Sequence, residues 1–122
     1  MGTYVSIRGW LECDDKQLVA IQEVISSHDD GDFYSGGWGF PRKPFNWTRY
    51  VFYGGDIRES TVDWFLGQLG EIARIPASDE DNDLVRGLFH ARHEVNGTSE
   101  WQVRAGQVFI SPADARYGYL DE

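Results

Sequence analysis

GDFYSGGWGFPRKPFNWTRYVFYGG, residues 31–55, decides how many strands the chain offers and in what order. It holds nine of the eighteen aromatic residues, six of the fourteen glycines and two of the four prolines. Residues 47–53 read as a strand, rich in aromatic and β-branched side chains. Trp47, Val51 and Tyr53 lie on one face and Tyr50 and Phe52 on the other, the pattern of a strand covered on both sides. Gly54-Gly55 is expected to end it. Residues 33–38 can form a shorter strand that pairs with it across the Pro41–Pro44 loop, making an aromatic hairpin. The alternative is an irregular loop, because Gly36, Gly37 and Gly39 reach conformations closed to other residues and Pro41 stiffens the chain after them. Rings on such a loop either fold inward as a plug or stand outward as contact anchors.

On the N-terminal side, residues 3–13 alternate. Val5, Ile7, Leu11 and Cys13 point one way and Tyr4, Ser6, Arg8, Trp10 and Glu12 the other, as in a strand with one buried face. Gly9 interrupts the buried row and marks a bulge or a close backbone approach. Asp14, with Gln17 three residues on, fits a capping box for a helix whose apolar stripe is Leu18, Ile21, Val24 and Ile25. That helix ends near His28, and the acidic run Asp29, Asp30 and Asp32 reads as a turn. On the C-terminal side, Ser60 is expected to open a second helix with Val62, Phe65, Leu66, Leu69, Ile72 and Ala73 on one stripe. Trp64 falls on the opposite side with Thr61, Gln68 and Glu71, where it needs a cover or a partner. Pro76 stops the helix.

Residues 84–95 alternate again, with Val85, Gly87, Phe89, Ala91 and Val95 inward and Arg86, Leu88, His90, Arg92 and Glu94 outward. Asn96-Gly97 signals a hairpin. A loop of three or five residues brings Phe89 and Ala91 opposite Val103 and Trp101. Apolar residues then change phase, from odd (Trp101, Val103) to even (Val108, Ile110). A tight turn at Ala105-Gly106, pairing Val103 with Val108 and Trp101 with Ile110, accounts for this, as does a bulge. The tail, SPADARYGYLDE, reads as an extended segment laid on the surface. The sum is a single α+β domain over residues 1–122: a twisted, mainly antiparallel sheet with two helices on one face. Its expected order is β-α-β-β-α-β-β, similar to a ferredoxin-like plait with an added hairpin; without a strand at 33–38 it is β-α-β-α-β-β. The helix-free face then carries Tyr4, Trp10, His90, Arg92 and aromatics of residues 47–53.

Eleven Lys/Arg against twenty Asp/Glu leave a net charge of −9. This argues against nucleic-acid binding, in which phosphate neutralisation supplies much of the affinity. It suits a basic protein partner drawn in electrostatically, and it also serves solubility alone. No run of eighteen apolar residues exists, so no membrane span is expected, and the first residues lack the pattern of a secretory signal. The single cysteine, Cys13, has no internal disulfide partner, which suits a reducing cytoplasm. Asp79, Asp81 and Asp83 copy the first three ligand positions of an EF-hand loop. Leu84 stands where that loop needs glycine and His90 where it needs glutamate, so no metal or cofactor is expected. His90 and His93 point to opposite faces of their strand and form no metal pair. His90 with Arg86, Arg92 and Glu94 makes either an acid–base pocket or a charged solvent face. Nucleophile-elbow and phosphate-loop motifs are missing, and no catalytic residues are assigned.

Several short motifs resemble one family. Arg8-Gly9-Trp10-Leu11 leads from a strand into an acidic helix. Later in the chain come Gly87-Leu88-Phe89, the hairpin at Asn96-Gly97, the run Trp101-x-Val103-x-x-Gly106, and Ile110-Ser111-Pro112 before an acidic end. Together they resemble the small α+β immunity proteins of bacterial polymorphic-toxin systems, specifically the seventh numbered immunity family. The glycine–proline aromatic loop at 36–45 departs from it. The resemblance implies a cytoplasmic protein that binds and neutralises a cognate secreted toxin by occlusion, and it brings no catalytic residues. On this reading a basic toxin domain meets Trp10, Trp38, Phe40 and Trp64 together with Asp29, Asp30 and Asp32; homodimer formation is left open. The alternative is a small-ligand-binding protein or enzyme of the dimeric ferredoxin-like type, with a pocket between the open sheet face and the aromatic loop. Carbohydrate recognition by the tryptophan-rich loop ranks last.

Overall fold

Strict alternation gives the first strand, β1 (Tyr4–Cys13), its central place, since Val5, Ile7, Leu11 and Cys13 are all buried on one side. The computed structural model describes residues 2–42 and 47–121. In it β1 lies between β3 (Arg49–Arg58) and β4 (Arg86–His93), antiparallel to both. β2 (Trp38–Gly39) pairs with β3 at one edge, while β5 (Gly97–Arg104) and β6 (Gln107–Pro112) continue the sheet beyond β4. The order is β2-β3-β1-β4-β5-β6, every pairing antiparallel. Two helices, α1 (Asp15–Ser27) and α2 (Val62–Ala73), close the core on one face, so the fold is α+β. β1–α1–β2 straddles β3 and β3–α2–β4 straddles β1. β2 contributes two residues, short of the edge strand a full ferredoxin-like plait carries, and β5–β6 lengthens the opposite edge.

Gly9 marks a close approach rather than a bulge, because the β1–β4 register runs through it without a break. A Cβ there would lie 2.2 Å from the Leu88 carbonyl oxygen and 2.6 Å from the Phe89 ring. Gly87 answers it, its missing Cβ falling 2.1 Å from the Trp10 carbonyl oxygen. The capping box of α1 is formed in full: the Asp14 carboxylate accepts from the Gln17 amide, and the Gln17 side chain accepts from the Asp14 amide. The other Asp14 oxygen takes the Ser78 hydroxyl, tying the acidic linker to the helix start. Helix α2 begins later than expected. A 3-10 turn at Glu59–Thr61 precedes Val62, and Thr61 holds the cap position without a side-chain hydrogen bond, so Ser60 is not the cap.

Four further expectations are corrected. β3 does not end at Gly54-Gly55 but runs to Arg58, because Ile7, Arg8 and the rest of β1 supply a continuous partner. Residues 33–37 are not a strand: Ser35–Gly37 is a 3-10 turn, and pairing with β3 starts at Trp38. The β4–β5 hairpin has a three-residue loop, with Phe89 opposite Trp101 and Ala91 opposite Ser99, two residues off the expected register. Val95 therefore sits in the turn, 75% exposed, instead of facing inward. The tail is not extended, and residues Ala115–Asp121 form a 3-10 helix. The turn at Ala105-Gly106 pairs Val103 with Val108 and Trp101 with Ile110 as expected, both turn residues lying at positive φ (51° and 76°).

Phe65 of α2 is the hub of the core. It stacks on Trp38 at 5.4 Å and 14° and meets Tyr53, Phe89 and Trp101 within 6.1 Å. Gln68 was expected on the outward side but is fully buried, because α1 packs along that flank and His28 pairs there with Glu71. Among the described residues no helix is long and apolar enough to cross a membrane.

Candidate functional site

The even-numbered residues of β1 face away from both helices, as do their partners in neighbouring strands. One straight cross-strand row runs Phe52, Trp10, Leu88, Gln102 and Phe109. Tyr50 extends it along β3, its ring stacked with that of Phe52 at 6.2 Å and 15°. Tyr50 is 43% exposed, Phe52 46% and Phe109 37%, so the row is apolar surface left open to solvent. Its orientation is fixed from beside it. The Trp10 indole N–H donates to Glu12 Oε2 at 2.9 Å, Arg86 reaches the other oxygen at 3.4 Å, and the Arg104 guanidinium lies over the Phe109 ring at 4.3 Å.

The next row, Arg8, His90, Glu100 and Ser111, is the part of this face that the tail covers. Arg8 Nη2 donates to the Leu120 carbonyl oxygen at 3.1 Å, and the Thr98 hydroxyl donates to Asp121 Oδ2 at 2.7 Å. Arg92 Nε lies 3.7 Å from Asp121 Oδ1, an ion pair too long for a hydrogen bond. The open face thus has two halves, one largely aromatic and bare, one charged and covered.

A separate depression lies on the helix side, between the end of α1 and the glycine loop, lined by Asp29, Asp32, Ser35, Trp38 and Phe40 among others. Its carboxylates are engaged with their own loop. Asp29 Oδ1 accepts from the Gly31 and Asp32 amides, both at 3.1 Å, and Asp30 accepts from the Tyr34 and Ser35 amides at 2.8 and 3.1 Å. The Ser35 hydroxyl stands 2.6 Å from each carboxylate and shares its one proton between them. That hydroxyl, then the Asp32 and Gly31 amides, holds the Asp29 carboxyl below its ordinary value. At Asp30 burial pushes upward, and the Ser35 hydroxyl with the two amides outweighs it, so the carboxyl is also lowered.

The seven expected contact residues therefore divide. Trp38 does not project: it is 8% exposed, a plug stacked on Phe65, because the 3-10 turn before it swings its ring over the core. Trp64 is half-buried, its indole N–H donating to the His28 carbonyl oxygen at 2.9 Å, so α1 is the cover it needed. Phe40 is 37% exposed, and Asp29, Asp30 and Asp32 are exposed but largely organise their own turn. Trp10 lies on the opposite face of the sheet from Trp38 and Trp64, so the structure does not bring the four rings together. The loop's Tyr34 and Trp38 rings also turn to the helix side, where they meet Trp64 and Phe65, and do not roof the open face. Sequence reasoning missed Tyr50, Phe52, Leu88 and Phe109 as one patch. The signal for it was the two-sided aromatic pattern of β3 and the lone Leu88 in an otherwise charged row. Asp79, Asp81 and Asp83 place their carboxylates within 4.8 Å of one another on the exposed linker, a clustering that surface acids show without any ion.

Cys13 is buried at the end of β1. Burial, with Asp14 beside it, pushes its thiol up to about 12. No family model matches the chain, and neither does any curated protein or solved structure. What the fold and these surfaces define is a small α+β domain with an open antiparallel sheet, one half of whose free face is bare and aromatic.

Proposed function

We propose that this chain is a binding protein whose helix-free sheet face occludes a partner protein. The particular role we assign is that of an immunity protein, held in the cytoplasm, which neutralises a cognate secreted bacterial toxin. The observation that carries the binding reading is the patch Tyr50, Phe52, Trp10 and Leu88, with Phe109 beyond Gln102, which is largely apolar, rigidly held and uncovered by either helix. Exposed aromatic side chains on a rigid strand face lose little freedom on binding and make strong anchors. Arg86 and Arg104 rim the row, as Arg commonly does at the edge of an interface. The toxin assignment rests on the resemblance of Arg8-Gly9-Trp10-Leu11 and the later motifs to the immunity family, and the net charge of −9 favours encounter with a basic toxin domain.

The test is co-expression of the chain with the toxin domain encoded beside it in the native host. The unaltered chain is expected to restore growth and to co-purify with the toxin domain. Phe52→Asp, on a side chain already half in water, is expected to abolish both while leaving the thermal midpoint within a few degrees. Protection by the Phe52→Asp and Tyr50→Asp chains equal to that of the unaltered one would remove the sheet face from the interface. Failure of every chain to protect or bind would remove the toxin reading.

A further inference from the structure

We infer that Arg8, His90, Arg92 and Thr98 form a carboxylate-binding site, which the chain's own Asp121 occupies here and which an acidic peptide segment of a partner takes by displacing the tail. The inference does not depend on the toxin reading; it rests on how the tail is held.

All four groups belong to two neighbouring rows of the helix-free face, so the sheet itself fixes their spacing. Three of them grip only the last two described residues: Arg8 the Leu120 carbonyl, Thr98 and Arg92 the Asp121 carboxylate. A guanidinium and a hydroxyl converge on the Asp121 carboxylate while a second guanidinium holds the neighbouring Leu120 carbonyl, and such a donor set recognises carboxylates in general. The fourth, His90, supplies the independent sign. Both of its ring nitrogens are cut off from solvent, and neither has a hydrogen-bond partner among the described residues. A neutral imidazole carries one donor and one acceptor, and leaving both unpaired in the interior is costly. Asp121 Oδ1 is likewise buried without a hydrogen bond, its nearest cation being Arg92 at 3.7 Å. The tail thus fills the site as an ill-fitting occupant, with donors unsatisfied and an acceptor oxygen to spare.

The cover is also weakly held. Ala115–Asp121 is seven residues of 3-10 helix, longer than such helices usually persist, and not one of its residues is buried. Tyr119 is 65% exposed. Once the tail lifts, Arg92 loses the ion pair that the described residues give it, and two guanidinium groups, an imidazole and a hydroxyl face outward beside the bare aromatic row. An acidic peptide whose carboxylate reaches deeper than Asp121 does would satisfy His90 as well as both arginines.

The test uses the full chain and a defined probe: an acetylated, amidated peptide of residues 114–122, tracked by fluorescence anisotropy. In the unaltered chain the tethered tail competes, so the probe is expected to bind poorly. The Asp121→Asn chain frees the site and is expected to bind the probe at least tenfold more tightly. A probe carrying Asn at position 121 should bind that chain at least tenfold more weakly, and adding Arg92→Ala to the chain should erase the difference between the two probes. His90 ring resonances should shift with the acidic probe only. Absence of binding to the Asp121→Asn chain at millimolar probe, equal binding of both probes, or a preference that survives Arg92→Ala would each overturn the inference. Should the Asp121→Asn chain fail to fold, Tyr117→Pro, which removes the amide that bonds the Asp114 carbonyl and so loosens the tail without touching the four site residues, replaces it with the same expected ordering.

Discussion

Side chains at the two ends of the first helix take opposite courses with their protons. Cys13 sits at the inner end of β1, where burial and the Asp14 charge outweigh Arg49 and push the thiol up to about 12. The thiolate is the reactive form, so a disulfide reagent at pH 8 is expected to find no thiol in the native protein and one after denaturation. Prompt native-state reaction would contradict that placement. Asp29 and Asp30, at the far end of α1, are lowered by the Ser35 hydroxyl and the turn amides despite the opposing effect of burial. A carboxyl whose folded value lies below its unfolded value stabilises the fold above the unfolded value, about 3.9 for Asp, and loses that contribution as pH falls through the folded value. Ser35→Ala is therefore expected to lower stability at pH 7, with the gap to the unaltered protein narrowing at a pH well below the unfolded carboxyl value. Denaturant titrations at the two pH values read this directly, and a gap of equal size at both would refute it.

At the scale of elements, sequence was a good guide wherever local chemistry decides. The alternation of β1, the Asp14–Gln17 capping box and the positive-φ turn at Ala105-Gly106 all depend on residues within a few positions of each other. It was a poor guide where a distant partner decides. β3 runs through Gly54-Gly55 because β1 lies alongside it, the β4–β5 register brings Trp101 beside Phe89 where both meet Phe65, and the glycine loop folds inward because Phe65 offers Trp38 a stacking face. The bare aromatic row was half-legible for the same reason: its members come from four strands, and only pairing places Phe52, Trp10, Leu88 and Phe109 in line. The close approach of β1 and β4 makes a sharp prediction. Gly9→Ala or Gly87→Ala would drive a methyl against a backbone carbonyl and is expected to cost about 1–3 kcal/mol, whereas Gly36→Ala, with Asp32 Cβ as its nearest neighbour at 4.0 Å, should be near neutral. Phe65→Ala removes the ring that five others meet and is expected to cost about 3–5 kcal/mol by chemical denaturation.

Over the whole molecule, charge and apolar surface are set apart. Carboxylates gather at both ends of α1, in the turn at Asp29, Asp30 and Asp32 and in the linker at Asp79, Asp81 and Asp83. Arg8, Arg58, Arg86, Arg92 and Arg104 all lie on the helix-free face, Arg86 and Arg104 beside the uncovered rings and the others farther along it, with Glu12, Asp56 and Glu100 among them. Under the proposed function the net charge of −9 draws a basic partner from afar, and the mixed charges beside the apolar patch, Glu12 and Glu100 among the arginines, set its orientation at close range. The most direct measurement of the proposed function is the affinity of the purified chain for a candidate toxin domain taken from the neighbouring reading frame, compared between the unaltered protein, Phe52→Asp and Phe40→Asp. The account predicts a loss of at least a hundredfold for Phe52→Asp and less than threefold for Phe40→Asp, with all three chains equally folded. Equal affinities for the unaltered and Phe52→Asp chains would contradict it.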